Sequence, residues 1–232
     1  MDSHPLEYRI RRSDRARHAR IVVDADGVEV VVPRRMALRH VEPFVREKRP
    51  WIERTLRRYQ DAVVDGDVRV DLRDGGEVPY LGEQLDLDVR IEPGRTRPHV
   101  RRRGEVLTVK VAKRGKEPIR DALERWYRRE ARHEVERRLD AAVARAGTRY
   151  TTLTIRAQRT RWASCSSNGS MSFNWRLLLA PEEILDYVVE HEVAHLEVLD
   201  HSPRFWRLVR SRVPDYKQHE RWLRRNGPAL RL

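Results

Sequence analysis

With 232 residues, about 39% of them hydrophobic, the chain has apolar material for one large domain or two small ones. No run approaches the roughly 18 apolar residues of a membrane span, no apolar block follows the charges of residues 1–12, and Cys165 is the only cysteine, so no membrane segment, secretory leader or disulfide framework is expected and the cytoplasm is the expected location. The formal net charge of +13 invites a nucleic-acid reading, but 36 acidic residues are interspersed with the 49 basic ones, as on solvated helix faces, and no reading motif accompanies them.

The first half reads mostly as strands. Ala19–Val23 and Val28–Val32 are β-branched runs flanking Asp24-Ala25-Asp26-Gly27, a hairpin signal, and Pro33 ends the second run. Leu38, Val41, Phe44, Val45, Trp51, Ile52 and Leu56 recur at helical spacing and predict a helix from about Ala37 to Tyr59. Strands follow at Val68–Leu72, Gln84–Ile91 and Val106–Val111, punctuated by Gly75-Gly76, Pro93-Gly94 and Gly104. The pattern changes near Glu117-Pro118, where Ile119, Ala122, Leu123, Trp126, Tyr127, Val135, Leu139 and Val143 mark one face of a long helix ending near Gly147. Strand-like segments return at Thr151–Ile155 and Met171–Leu179, separated by the polar stretch Ser164–Ser170. Three helices close the chain. They open at Pro181, at Ser202 as N-cap with Pro203 behind it, and near Pro214, the last stopping at Gly227. The expected fold is α+β, with a β-rich N-terminal domain carrying one helix over residues 1–115 and a metal-binding catalytic domain over 116–232.

Chemistry concentrates on the helix from Pro181. Ile184, Val188, His191 and His195 fall at i, i+4, i+7 and i+11, so both imidazoles share the apolar face. A four-residue step is one helical turn, which lets two histidines reach one zinc ion at about 2.0–2.1 Å. Glu192, one position round, flanks such an ion and can accept a proton from water without ligating. His-Glu-x-x-His occurs by chance in about 0.03 of chains with this length and composition, so context decides. Here the helix start and the shared apolar face agree with it, whereas two packed core histidines would each need separate hydrogen-bond partners. A catalytic zinc takes a third protein ligand. His201, just before the Ser202-Pro203 helix start, is the first candidate, with Asp200, Glu197 and His219 as competitors. Asp200 has a second role open to it, orienting a histidine by accepting its other ring N–H.

These residues and their neighbours resemble the YgjP-like family of zincin-like metallopeptidases. Arg161-Trp162-Ala163-Ser164-Cys165-Ser166 and Phe173-Asn174-Trp175-Arg176-Leu177 look like the family's paired segment upstream of the metal helix, and His201-Ser202-Pro203-Arg204-Phe205-Trp206 looks like its third-ligand segment. In the first half, Arg12-Ser13-Asp14-Arg15-Ala16-Arg17, Val31-Val32-Pro33, Val45-Arg46-Glu47-Lys48 with Trp51, and Val78-Pro79-Tyr80-Leu81-Gly82 are similar to the family pattern. The resemblance implies a zincin-like catalytic domain with a small sheet, one zinc ion per chain held by His191, His195 and His201, Glu192 as the catalytic residue, and peptide hydrolysis. Ala163 stands where the family usually has Gly; if that backbone needs positive φ or passes close to substrate, the extra methyl narrows the site.

Other residues carry weaker signals. Asn174, Arg161 and Arg176 suit an oxyanion or a phosphate as well as structural hydrogen bonds. Cys165 reads as packed rather than reactive, and Trp162, Trp175, Trp206 and Trp222 as core aromatics. A zinc-dependent metallopeptidase is the expected function. Its main alternative is a nucleotide phosphoanhydride hydrolase served by Arg161 and Arg176, and a further one a nucleic-acid-associated protein with structural zinc. A peptide or a small phosphorylated molecule is therefore the expected partner.

Overall fold

A computed structural model describes residues 6–14, 16–24, 27–64, 68–158 and 160–232. It is a mixed α+β structure with three small sheets and five α-helices among the described residues. Two compact units divide the chain: Met1–Asp67 with Arg225–Ala229, and Val68–Arg224 with Leu230–Leu232. The division therefore falls at 67/68 and not at the expected 115/116. The reason is burial. Val78, Leu85, Leu87, Leu107 and Val109, from the strands before residue 115, share one core with Ile119, Leu123 and Trp126 of the long helix after it.

In the first unit, β2 (Arg20–Asp24) and β3 (Gly27–Pro33) pair antiparallel in the expected hairpin register, Val23 opposite Val28. The turn residues Ala25 and Asp26 lie outside the described residues. β1 (Arg9–Ser13) lies parallel to β3 on its other side; with four polar residues of five, it gave no strand signal. A 3₁₀ turn at Leu38–His40 leads into α1 (Val41–Val64), which runs beyond the expected Tyr59. Val41, Val45 and Ile52 pack on Val23, Val28, Val30 and Val32.

The second unit opens with an irregular segment where a strand was expected at Val68–Leu72. Asp71 there donates its amide to the Glu77 carbonyl at 2.8 Å. β4 (Glu77–Tyr80), β5 (Glu83–Ile91), β6 (His99–Arg103) and β7 (Val106–Val111) form a sheet of order β4-β5-β7-β6, with β5 and β7 parallel. α2 (Lys116–Ala146) then runs 31 residues, close to its expected bounds. It ends because Gly147 adopts φ +64°, returning its N–H to Val143 and Ala144 carbonyls, a left-handed cap that glycine takes without steric cost. The third sheet has order β8-β10-β9, from β8 (Thr152–Arg156), β9 (Ala163–Cys165) and β10 (Ser170–Asn174). The apolar run Met171–Leu179 is thus only half strand. At Asn174 the side chain accepts the Arg176 amide and turns Trp175–Leu179 into a 3₁₀ helix. α3 (Glu182–Ala194), α4 (Pro203–Arg212) and α5 (Tyr216–Asn226) complete the unit's helices.

Two devices hold α3 in place. The β4–β5 turn docks on the 3₁₀ helix just before α3, with the Leu81 amide donating to the Leu178 carbonyl at 2.8 Å, and the Tyr127 hydroxyl of α2 donating to the Pro79 carbonyl. This gives the Val78–Gly82 motif a physical role. The second device is Arg138 of α2, whose side chain is 6% exposed. Its guanidinium binds Glu134 on its own helix and Glu182 and Asp186 in the first turns of α3, Asp186 at 2.7 Å. Breaking a buried ion pair costs about 3–5 kcal/mol when the partner stays buried; here Glu182 and Asp186 are about half exposed and rehydrate. Arg138→Met is accordingly expected to destabilise the protein by about 2–3 kcal/mol, read as a lower urea midpoint at unchanged slope.

Candidate metal centre

α3 buries Ile184 and Val188 and carries His191 on the same stripe. The helix proper ends at Ala194, but His195, its C-cap, keeps helical dihedrals (φ −68°, ψ −18°), so the four-residue step survives to the last turn. The chain then folds back through a tight turn, Val198 donating its amide to the Ala194 carbonyl at 3.0 Å. That reversal brings His201 to the other two. Ring centroids lie 5.0 Å apart for His191 and His195, 5.3 Å for His191 and His201, and 4.7 Å for His195 and His201. One ligand atom from each ring lies within 4.8 Å of the others.

The chemistry of these donors fits a zinc ion. His195 Nδ1 is 3.1 Å from the Val198 carbonyl, which can only accept; Nδ1 therefore carries the proton and Nε2 is left with its lone pair. His201 Nε2 and His191 Nε2 face each other at 3.2 Å, near the roughly 3.3 Å separating two nitrogens bound tetrahedrally to one zinc. Burial, with the neighbouring imidazoles, lowers the His191 pKa to about 3, and burial also lowers that of His195. Both rings are thus neutral near pH 7, as ligands must be. His191 Nδ1 is buried without a hydrogen-bond partner. Fully buried Phe205 holds the cluster together, its centroid 4.9, 4.4 and 4.8 Å from His191, His195 and His201.

Glu192 is 5% exposed, and its Oε2 has no hydrogen-bond partner. Burial raises its carboxyl pKa to about 7, while the Cys165 amide opposes the shift. That contact follows from the β9 register. The Trp162 carbonyl accepts the Asn174 amide of β10 and the Ser166 amide donates to the Ser170 carbonyl, so by alternation Ala163 and Cys165 turn their N–H and C=O groups to the outer edge of β9. A cavity of about 380 Å³ lies beside this edge, lined by His191, Glu192, Ala163, Arg161, Tyr187 and Arg224 among others.

The competing ligands are engaged elsewhere. The Asp200 carboxylate accepts the Ser202 amide at 3.0 Å and so fixes the turn into α4, whose N-cap Ser202 makes no side-chain cap bond. Glu197 pairs with Arg212, and His219 packs against Tyr187, centroids 5.8 Å apart. Asn174 donates to the carbonyls of Gln158 and Arg161, stapling the segment that presents Arg161 instead of facing substrate. Arg176 lies over Trp175 at 5.2 Å and does not line the cavity. Ala163 has no positive φ, so its methyl costs no strain, though it lines the cavity. Burial raises the Cys165 thiol to about 11, which keeps it protonated. Of the four tryptophans expected in the core, Trp175 is fully buried and Trp162, Trp206 and Trp222 are half-buried. Sequence reasoning missed Tyr187, whose ring meets His191 edge-on at 5.9 Å. Its position, four residues before His191 on the same stripe, was the available signal.

Fold and site together define a zincin-like metallopeptidase domain. The family model described as "YgjP-like, metallopeptidase domain" matches residues 17–226, and the chain belongs to that family. Part of it also resembles the crystal structure of the metallopeptidase zymogen of Pyrococcus abyssi abylysin, at 29% identity and a TM-score of 0.36, over 38% of this chain and 91% of that one. None of the curated proteins matches the sequence. Among the described residues no helix is long and apolar enough to cross a membrane.

Proposed function

We propose that the protein is a zinc-dependent peptidase in which His191, His195 and His201 hold one zinc ion and Glu192 is the general base. The observation that carries this reading is the convergence of three imidazoles beside a buried carboxylate with a free oxygen, with His191 and Glu192 lining one cavity. Zinc bound there supplies a Lewis acid that polarises a carbonyl and acidifies water. Glu192 takes the proton from the attacking water and returns it to the leaving amine; a carboxyl with a pKa near 7 is suited to both transfers. The outer edge of β9 supports a peptide as substrate, because an extended chain can pair with the Ala163 backbone, while the Cys165 amide is held by Glu192. The nucleotide alternative retains Arg161 but loses Arg176.

Protein purified without added metal is expected to contain close to one zinc per chain by elemental analysis. A metal-free preparation unable to take up zinc overturns the reading. Function is tested by offering the zinc form peptides and nucleoside triphosphates side by side, with and without chelator. Chelator-sensitive peptide cleavage is the expected result; hydrolysis of nucleotides alone favours the alternative.

A further inference from the structure

The cavity beside His191 and Glu192 continues along α5. A second cavity of about 270 Å³ is lined by Trp206, Tyr216, Lys217, Glu220, Arg221 and Arg224, and Glu220 and Arg224 line both. Its apolar floor begins at the histidine cluster, since Trp206 stacks on His201 (5.6 Å) and on Tyr216 (5.3 Å). Its rim is basic. Lys217, Arg221 and Arg224 stand at i, i+4 and i+7, on one face of α5. Glu220 engages Arg224 at 3.1 Å, but Lys217 and Arg221 are exposed and have no carboxylate partner among the described residues. The same holds for Arg161 on the wall of the first cavity. Some helical arginines are matched by a glutamate one turn away, as in Arg49–Glu53 and Arg128–Glu124. What distinguishes Arg161, Lys217 and Arg221 is their place on the walls of two adjoining cavities beside His191 and Glu192.

We infer that this groove is a subsite for acidic side chains: a peptide lying across His191 and Glu192 is cleaved faster when it presents Asp or Glu to Lys217 and Arg221. The inference rests on the peptidase reading and names its substrate class. A carboxylate a few ångströms from two exposed cations gains roughly tenfold in kcat/KM over a neutral residue, and a lysine there loses by repulsion. Phosphate would also suit the cations. A nucleobase would be less well served, because Trp206 is already stacked with His201 and Tyr216, and Tyr216 is buried.

The test uses the zinc-loaded full chain and peptides in which Glu, Ala or Lys is placed in turn at each position around the cleaved bond. Glu is expected to exceed Lys by at least about tenfold at one or two neighbouring positions, with the ratio shrinking as salt screens the exposed charges. Lys217→Glu combined with Arg221→Glu should invert that ratio, zinc content and circular dichroism serving as the fold check; if the pair misfolds, Lys217→Glu alone should lower it. Cleavage with no Glu-over-Lys preference, or a preference that these variants leave unchanged, overturns the subsite while the peptidase reading stands. Failure to cleave any peptide overturns both.

Discussion

Glu192→Gln is expected to lower turnover by about 10²-fold or more while zinc content stays at one per chain. The substitution keeps the side chain's size and its ability to accept the Cys165 amide, so packing around α3 is preserved. What it removes is the basic oxygen. Glu192 Oε2 is buried and unpartnered, free to take a proton that an amide oxygen cannot hold. A ligand substitution would instead lower activity and metal together. Measuring kcat and bound zinc on the same preparation separates the two roles. Activity within a few-fold of wild type would show that another group moves the proton.

How much of this was legible beforehand depends on whether the relevant contact is local. The stripe Ile184, Val188, His191, His195 was readable because a helix fixes its own geometry, and periodicity reports it directly. His201 was readable only as the first of four candidates, since its approach depends on the turn Ala194–Val198, whose hydrogen bonds leave no composition signal. β9 was hidden for a related reason. Ala163-Ser164-Cys165 lacks β-branched and aromatic residues, and becomes a strand only because β10 lies beside it. The run Met171–Leu179 misled in the opposite direction, because continuous apolarity cannot distinguish buried strand from buried 3₁₀ turn. The domain boundary was misplaced because the burial of Val78, Leu85 and Leu107 against Ile119 and Trp126 is a long-range contact, invisible to a change in local pattern.

The comparison of His201→Ala with Asp200→Ala bears hardest on the ligand set. His201 sits on a loop, is exposed, and is held by stacking on Trp206 and by its contact with His191. Its removal leaves two histidines from one helix, and zinc affinity is expected to fall by more than the roughly 100-fold that loss of an outer hydrogen-bond partner costs. From sequence, Asp200 could have been either a ligand or such an outer partner. Its carboxylate instead accepts the Ser202 amide at the start of α4 and is itself exposed. Losing that bond should loosen only the turn leading into α4 and change zinc affinity less than about tenfold. Both substitutions disturb the same loop, so any general loosening is shared and cancels in the comparison. Chelator competition on the two variants, with circular dichroism confirming that α4 persists, yields the ranking. If Asp200→Ala strips the metal while His201→Ala retains it, the centre is two histidines and a carboxylate, and the 3.2 Å approach of His201 to His191 is packing alone.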